Sequence, residues 1–349
     1  MRDVFKEVHW RLRDLPPPQE NALKVFSCFS CGGGSTMGYK LAGCEVLGNV
    51  EIDPRMMEVY RKNHKPKYSF LMGVQEFKKL PKADIPTELF NLDILDGSPP
   101  CSLFSTNSIK RESFWGKEKK FAEGQSAQIL DTLFFDFIDI AEILKPKVVI
   151  AENVAGLLKG NARGYVRQIF DAFKKAGYSV QLFKLDASVM GVPQRRNRVF
   201  FIAFRNDLGF PKLTLSFNYP QIPFKYCRND EEKRTDLSPL QRKVAGFWRK
   251  GESNLAKAHL RAFGKVGWFS YNTHHDNQLA GCQTVGTIVP VLFPEKKFIN
   301  DSEVKAVQTF PKDFDFCGKS VQYVCGMSVP PRMMEKIVLE IKRQWFSLS

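Results

Sequence analysis

The chain has 349 residues, 43% hydrophobic and 26% charged, an ordinary balance for a protein with a large packed core and room for two domains. Its 52 Lys and Arg against 37 Asp and Glu leave a formal net charge of +15, more than solubility asks, which points to a polyanionic partner and first to nucleic acid. No apolar run approaches a membrane span, residues 1–20 are charged and proline-rich where an export signal is apolar, and the eight cysteines read as reduced thiols, so the expectation is a cytoplasmic protein.

In chain order, Lys24 to Phe29 reads as a short strand, followed by the turn Cys31-Gly32-Gly33-Gly34-Ser35 and a helix from Thr36 to Ala42. Strand, glycine turn and helix open a nucleotide-binding βα unit. A second strand, Glu45 to Val50, runs into Glu51-Ile52-Asp53, with a helix over Met56 to Asn63 and a third strand region at Tyr68 to Val74. Leu92 to Leu95 is a fourth strand leading into Gly97-Ser98-Pro99-Pro100-Cys101-Ser102. Two prolines fix the backbone ahead of Cys101, which mounts a thiol stiffly at a sheet rim, as a covalent nucleophile requires. From Ile129 to Leu144 the apolar residues recur with a helical period. Strand Val148 to Ala151 then leads to Glu152-Asn153-Val154, and helix Tyr165 to Lys175 precedes strands Ser179 to Leu185 and Arg198 to Phe204. Alternating strands and helices predict an α/β layered fold on a mainly parallel sheet.

After Arg205 the periodicity fades, and Arg242-Lys243 and Phe247-Trp248-Arg249-Lys250 mix charge with aromatic rings. This suits nucleic-acid contact, or a small domain whose aromatics form its own core. A last helix follows Pro330-Pro331, with Met334, Ile337, Val338 and Ile341 on one face. Cys28 and Cys31 have CxxC spacing, but no second pair or His cluster completes a zinc site, so no metal is expected.

The order of these pieces is more specific than any one of them. Phe29-Ser30-Cys31-Gly32-Gly33-Gly34, Glu51-Ile52-Asp53, Pro99-Pro100-Cys101, Glu152-Asn153-Val154, Gln194-Arg195-Arg196-Asn197-Arg198, Gln308-Thr309-Phe310-Pro311 and Gly326-Met327-Ser328-Val329-Pro330-Pro331 follow one another at strand ends or adjoining loops. The series resembles the cytosine-5 DNA methyltransferases of bacterial restriction–modification type, from about Lys24 to the C-terminus. The resemblance implies an S-adenosylmethionine-dependent methyltransferase (Rossmann-like) domain at 1–205 plus 318–349. A small, irregular target-recognition domain with its return segment would occupy 206–317.

It also implies a mechanism. Cys101 adds to C6 of a cytosine flipped out of double-stranded DNA, Glu152 handles the proton at N3, Arg198 holds O2, and Arg196 and Asn153 complete the catalytic set. S-adenosyl-L-methionine would sit on Phe29, Ser30, Gly33, Gly34, Glu51, Ile52, Pro99, Leu133 and Ser328. Ser102, Ser105, Lys110, Arg111 and Gln194 are the expected DNA contacts, the first four on a loop from Ser102 to Gln125 that closes over the flipped base. A cognate restriction endonuclease acting on the same site is the implied partner, and a monomer the implied state. The chain departs from the family pattern at Cys31, around Gly73-Val74-Gln75 and at Met327, and the family's arginine beside Glu303 is not evident. Two other readings use the same fold: the RNA-directed branch that methylates transfer RNA, and a DNA-binding protein without catalysis. The first typically carries a Cys-Phe-Thr that has no match here, and intact Cys101, Glu152 and Arg198 speak against the second.

Overall fold

Strands of a parallel sheet are covered on both faces, so they favour continuous apolar runs over polar alternation. Ile94-Leu95 and Val148-Val149-Ile150-Ala151 are such runs, and each is fully buried. The computed structural model describes residue 5 and residues 7–100, 132–158, 162–265, 271–286, 289–293 and 295–347. The chain packs as two compact units. One, the sheet unit, comprises Leu15–Leu185, Asn197–Ser216 and Met334–Ser349; the other comprises Met1–Asp14, Asp186–Arg196 and Phe217–Met333. Relative to the expected division, 1–14, 186–196 and 318–333 pack with the second unit, and 206–216 pack with the sheet unit.

The sheet unit is built on strands β1 (Lys24–Cys28), β2 (Glu45–Glu51), β3 (Tyr68–Leu71), β4 (Ile94–Gly97), β5 (Val148–Val154), β6 (Tyr178–Asp186) and β7 (Asn197–Arg205). Their order is β3-β2-β1-β4-β5-β7-β6. The pairs β1/β2, β2/β3, β1/β4 and β4/β5 are parallel, and β7 runs antiparallel to β5. The strand order reverses between β1 and β4, and ligands bind at such a switch point, outside the strands' carboxyl ends. Both the glycine turn after β1 and the segment Ser98-Pro99-Pro100 after β4 leave the sheet there.

The helices are α1 (Gly34–Leu41), α2 (Pro54–His64), α3 (Val74–Phe77), α4 (Leu133–Leu144) and α5 (Ala162–Lys175). Asp53 caps α2 by accepting from Arg55 N at 2.9 Å, with Pro54 at the first helical position, where its missing N–H costs nothing. Leu133, Phe134, Phe137, Ile138, Ala141 and Leu144 of α4 all join the core, as their period predicts. Residues 129–131 of that expected helix lie outside the described residues. The third strand stops at Leu71, and Val74, expected in it, begins a short helix instead.

The second unit is less irregular than its sequence suggests. It holds α6 (Pro239–Gly246), α7 (Ala256–Phe263), α8 (Asp301–Val307), α9 (Val321–Met327) and the start of α10 (Pro331–Ile341). Strands β8 (Thr273–His275), β9 (Val291–Phe293) and β10 (Lys297–Phe298) form a sheet of order β10-β9-β8. Capping boxes at Ser238/Gln241 and Asn300/Glu303 start α6 and α8. Leu237, Val244, Leu255, Val291 and Phe293 form a core onto which Trp248, Phe263, Tyr271 and Phe298 pack. Trp248 and Tyr271 therefore pack, half-buried, against this unit's own core. Among the described residues no helix is long and apolar enough to cross a membrane.

Candidate active site

Glycine 33 begins the site. Its φ is +84°, and a Cβ there would fall 2.2 Å from Nε2 of His64, so a side chain fits neither the backbone nor the space. Phe29 and Cys31 also hold left-handed backbone, with φ of 55° and 46°. Such conformations persist only where surroundings over-determine them. At Cys31 the buried Glu51 does so: its Oε2 accepts from Cys31 N at 2.8 Å, and its Oε1 from Ile52 N and Asp53 N at 2.9 Å each. Burial pushes the Glu51 carboxyl up, and these amides pull it back. Ser30 is buried and its Oγ accepts from Asn49 Nδ2 at 2.8 Å. Gly33 N donates to Ser30 O at 2.8 Å, closing the turn that leads into Gly34 of α1.

A carboxylate offers about four lone-pair positions. Three backbone amides occupy three of those on Glu51, which leaves one on Oε2 for a hydroxyl. The half-buried rings and chains of Phe29 and Ile52 flank the same strand ends. A carboxylate, an aromatic face and a glycine turn are the donor set an adenosyl group needs, so the residues fit the expected cofactor. Leu133, fully buried in the core, stands at the start of α4.

The acid–base pair lies on β5 and β7. Phe200 opposes Glu152 in the antiparallel register, so Arg198, two residues away, projects on the same face as a diagonal neighbour. Arg198 Nε and Glu152 Oε1 are 2.9 Å apart, both side chains largely buried. Arg198 Nη1 donates to Asn197 O at 2.8 Å, and Nη2 has no protein partner among the described residues. Asn153 is buried; its Nδ2 donates to Pro99 O at 3.1 Å and its Oδ1 accepts from Val154 N at 2.8 Å. The strand carrying the acid thus holds the backbone two residues before Cys101. Cys101 itself, with Ser102, Ser105, Lys110, Arg111 and the rest of the expected closing loop, lies outside the described residues.

Three expected site residues have other occupations, all inside the second unit. Arg196 is 2% exposed, and its guanidinium donates to Gln283 O at 2.8 Å, Gly326 O at 3.0 Å and Ser328 O at 2.9 Å. A planar fork with five N–H donors suits this clamp. Gln194, expected at the DNA, is fully buried: its amide donates to Val307 O at 2.9 Å and Gln308 Oε1 at 2.6 Å, and accepts from Gln283 N at 3.1 Å. Ser328, expected at the cofactor, is buried and donates its hydroxyl to Val324 O at 2.8 Å.

One partner escaped sequence reasoning. The fully buried Glu303 is paired with Arg234, whose Nε donates to Glu303 Oε2 at 3.1 Å. Glu303 also accepts from Asn229 N and Asn300 N. The arginine missing beside Glu303 in the sequence is supplied from 69 positions away. Only a buried-acid argument, that Glu303 inside an apolar helix face must find a cation, could have called for it.

The family model for C-5 cytosine-specific DNA methylase matches residues 23–343. The Type II methyltransferase M.NgoPII of Neisseria gonorrhoeae is 35% identical over 58% of this chain, which spans about half, 54%, of that relative. M.Sau96I of Staphylococcus aureus, also a Type II methyltransferase, is 34% identical over 90% of this chain and 74% of its own length. Among solved structures, a candidate DNA modification methyltransferase encoded within an E. coli prophage superposes with a TM-score of 0.70 at 19% identity, covering 93% of this chain and 99% of the other.

Proposed function

The chain belongs to the C-5 cytosine-specific DNA methylases, and from that premise we propose that it is a sequence-specific DNA (cytosine-5)-methyltransferase using S-adenosylmethionine. The observation that carries this reading is the Glu152–Arg198 pair, set on neighbouring strands beside the Asn153 bond to Pro99.

The target carbon is out of reach inside a stacked duplex, so the cytosine must leave the helix, at a cost of a few kcal/mol. Cytosine C5 is a weak nucleophile. The Cys101 thiolate forms a bond to C6, which moves the ring's electrons toward N3 and O2 and makes C5 nucleophilic. Glu152 protonates N3 as that charge develops, and Arg198 offers Nη2 to O2 while Nε stays on Glu152. Pro99 and Pro100, held through Asn153, fix the direction of approach of the thiol. When bound, the cofactor would supply a methyl group made electrophilic by its sulfonium; Glu51 would hold the ribose hydroxyls and Phe29 the adenine. Loss of the C5 proton to a base, return of the N3 proton to Glu152 and departure of the Cys101 thiolate from C6 restore the aromatic ring. Unit-by-unit, the second unit carries target recognition and the sheet unit the chemistry.

Bisulfite sequencing of plasmid DNA from cells expressing the chain should reveal one short motif with a methylated cytosine. Absence of methylated motifs, or methyl groups found in transfer RNA instead, overturns the DNA reading. Purified protein should also form a denaturant-stable adduct with duplex DNA carrying 5-fluorocytosine, because fluorine blocks the final elimination, and Cys101→Ala should abolish both adduct and transfer.

A further inference from the structure

Beside the glycine turn lies a buried acid that the mechanism above does not use. Asp96, 1% exposed, is the third residue of β4 and pairs with Ser27 of β1 in the parallel register. Its Oδ2 accepts from Ser27 Oγ at 2.7 Å and Ser35 Oγ at 2.6 Å, and its Oδ1 from Tyr39 OH at 3.1 Å. Ser27 stands two residues before Phe29 and Ser35 directly after Gly34, so the carboxylate is bonded on both sides of the turn. Three hydroxyls hold it, and among the described residues no Lys, Arg or His pairs with it.

Among the described residues, the titratable groups Cys28, Tyr60 and Glu152 also interact with it. Burial keeps the thiol and both phenols, Tyr39 and Tyr60, neutral. None of these groups compensates a negative charge. Burial pushes the Asp96 carboxyl up to about 6, with the three hydroxyls opposing that rise. Once ionised, the group carries a charge that no Lys, Arg or His among the described residues pairs with, held by three hydroxyl donors. In a low-dielectric interior such a charge lowers the energy of any cation placed near it.

We propose that Asp96 is the fixed charge by which this chain holds the sulfonium form of its methyl donor in preference to the neutral thioether left after transfer. The inference rests on the methyltransferase reading. The two ligands share adenosine and amino-acid parts and differ by the methyl group and the charge on sulfur. Asp96 is buried and bonded to three hydroxyls of its own unit, so it acts as a positioning residue through the turn and through its field. It thereby favours exchange of spent product for fresh donor.

Calorimetric titration of S-adenosylmethionine and S-adenosylhomocysteine into wild type and Asp96→Asn at pH 7.5 tests this. Asparagine keeps the shape and a hydrogen-bond acceptor but loses the charge. The Kd for S-adenosylmethionine should weaken about tenfold, and that for S-adenosylhomocysteine by less than about twofold. In wild type the preference for the cation should shrink between about pH 7.5 and pH 5, as Asp96 takes up its proton; in the variant it should stay level. Equal weakening of both ligands, or of neither, overturns the proposal while leaving the methyltransferase reading standing. If wild type binds neither ligand, that reading falls and takes the proposal with it. Should the variant not fold, a preference in wild type that is constant across the pH range is enough to overturn the proposal.

Discussion

Arg196 and Arg198 stand two residues apart in one motif and do different work in different units. Arg196 is sealed inside the second unit, its guanidinium spent on three backbone carbonyls. Arg198, on β7 of the sheet unit, meets a carboxylate and keeps one nitrogen uncommitted among the described residues. In a β-strand, residues two apart share a face, so strand geometry alone would have aimed both at one target. The chain avoids this because β7 begins at Asn197, just after Arg196. The contrast separates a residue that organises a fold from one that, on the proposed function, meets the substrate, although the motif presents them as a pair.

The contrast can be broken most sharply at the reactive side. Glu152→Gln should slow single-turnover methyl transfer by about 10²–10⁴-fold while thermal unfolding moves by no more than a degree or two. A near-normal rate would remove Glu152 from the proton transfer. The opposite pattern is expected of Arg196→Met. Three carbonyls lose a charged donor inside a packed interior, which should cost roughly 3 kcal/mol of stability in denaturant unfolding. At low temperature, where the protein remains folded, its transfer rate should stay within about threefold of wild type; a selective collapse of that rate with unchanged stability would return Arg196 to the chemistry. Asn153→Ala should fall between the two, because its amide both satisfies Pro99 O and fixes the approach to Cys101. We expect about 1 kcal/mol of lost stability and about a tenfold lower rate, read by the same two measurements.

The sequence makes the sheet unit legible because its physics is local. Apolar runs such as Val148–Ala151, the glycine turn at Gly33 and the period of α4 each report on neighbouring residues, and strand ends then mark where ligands bind. Glu51 could be placed at a strand end in this way, although the three amides that occupy it could not. The second unit was harder for a physical reason. Its helices α6 to α9 have only 7 or 8 residues, too short to establish a period. Gln194 was expected at the DNA and Arg196 in the catalytic set; the carbonyls that hold them, at Gln283, Val307, Gly326 and Ser328, lie far away in the chain. Arg234 was overlooked for the same reason. Ion pairs over 69 positions leave no trace in local pattern.

The path of the chain between β6 and β7 bears on how such a protein changes its target. The second unit draws on Asp186–Arg196 as well as Phe217–Met333, with β7 threaded between them. A recombination event that swaps only Phe217–Met333 for the matching piece of a relative would leave Gln194 and Arg196 behind, facing foreign carbonyls. One that begins at Asp186 keeps that network intact but imports a new β7, and with it a new Arg198 opposite the old Glu152. Exchange of specificity by shuffling is therefore constrained at two junctions, and grafts that carry Asp186–Arg196 with their own insert while keeping the host's β7 should be the ones that survive.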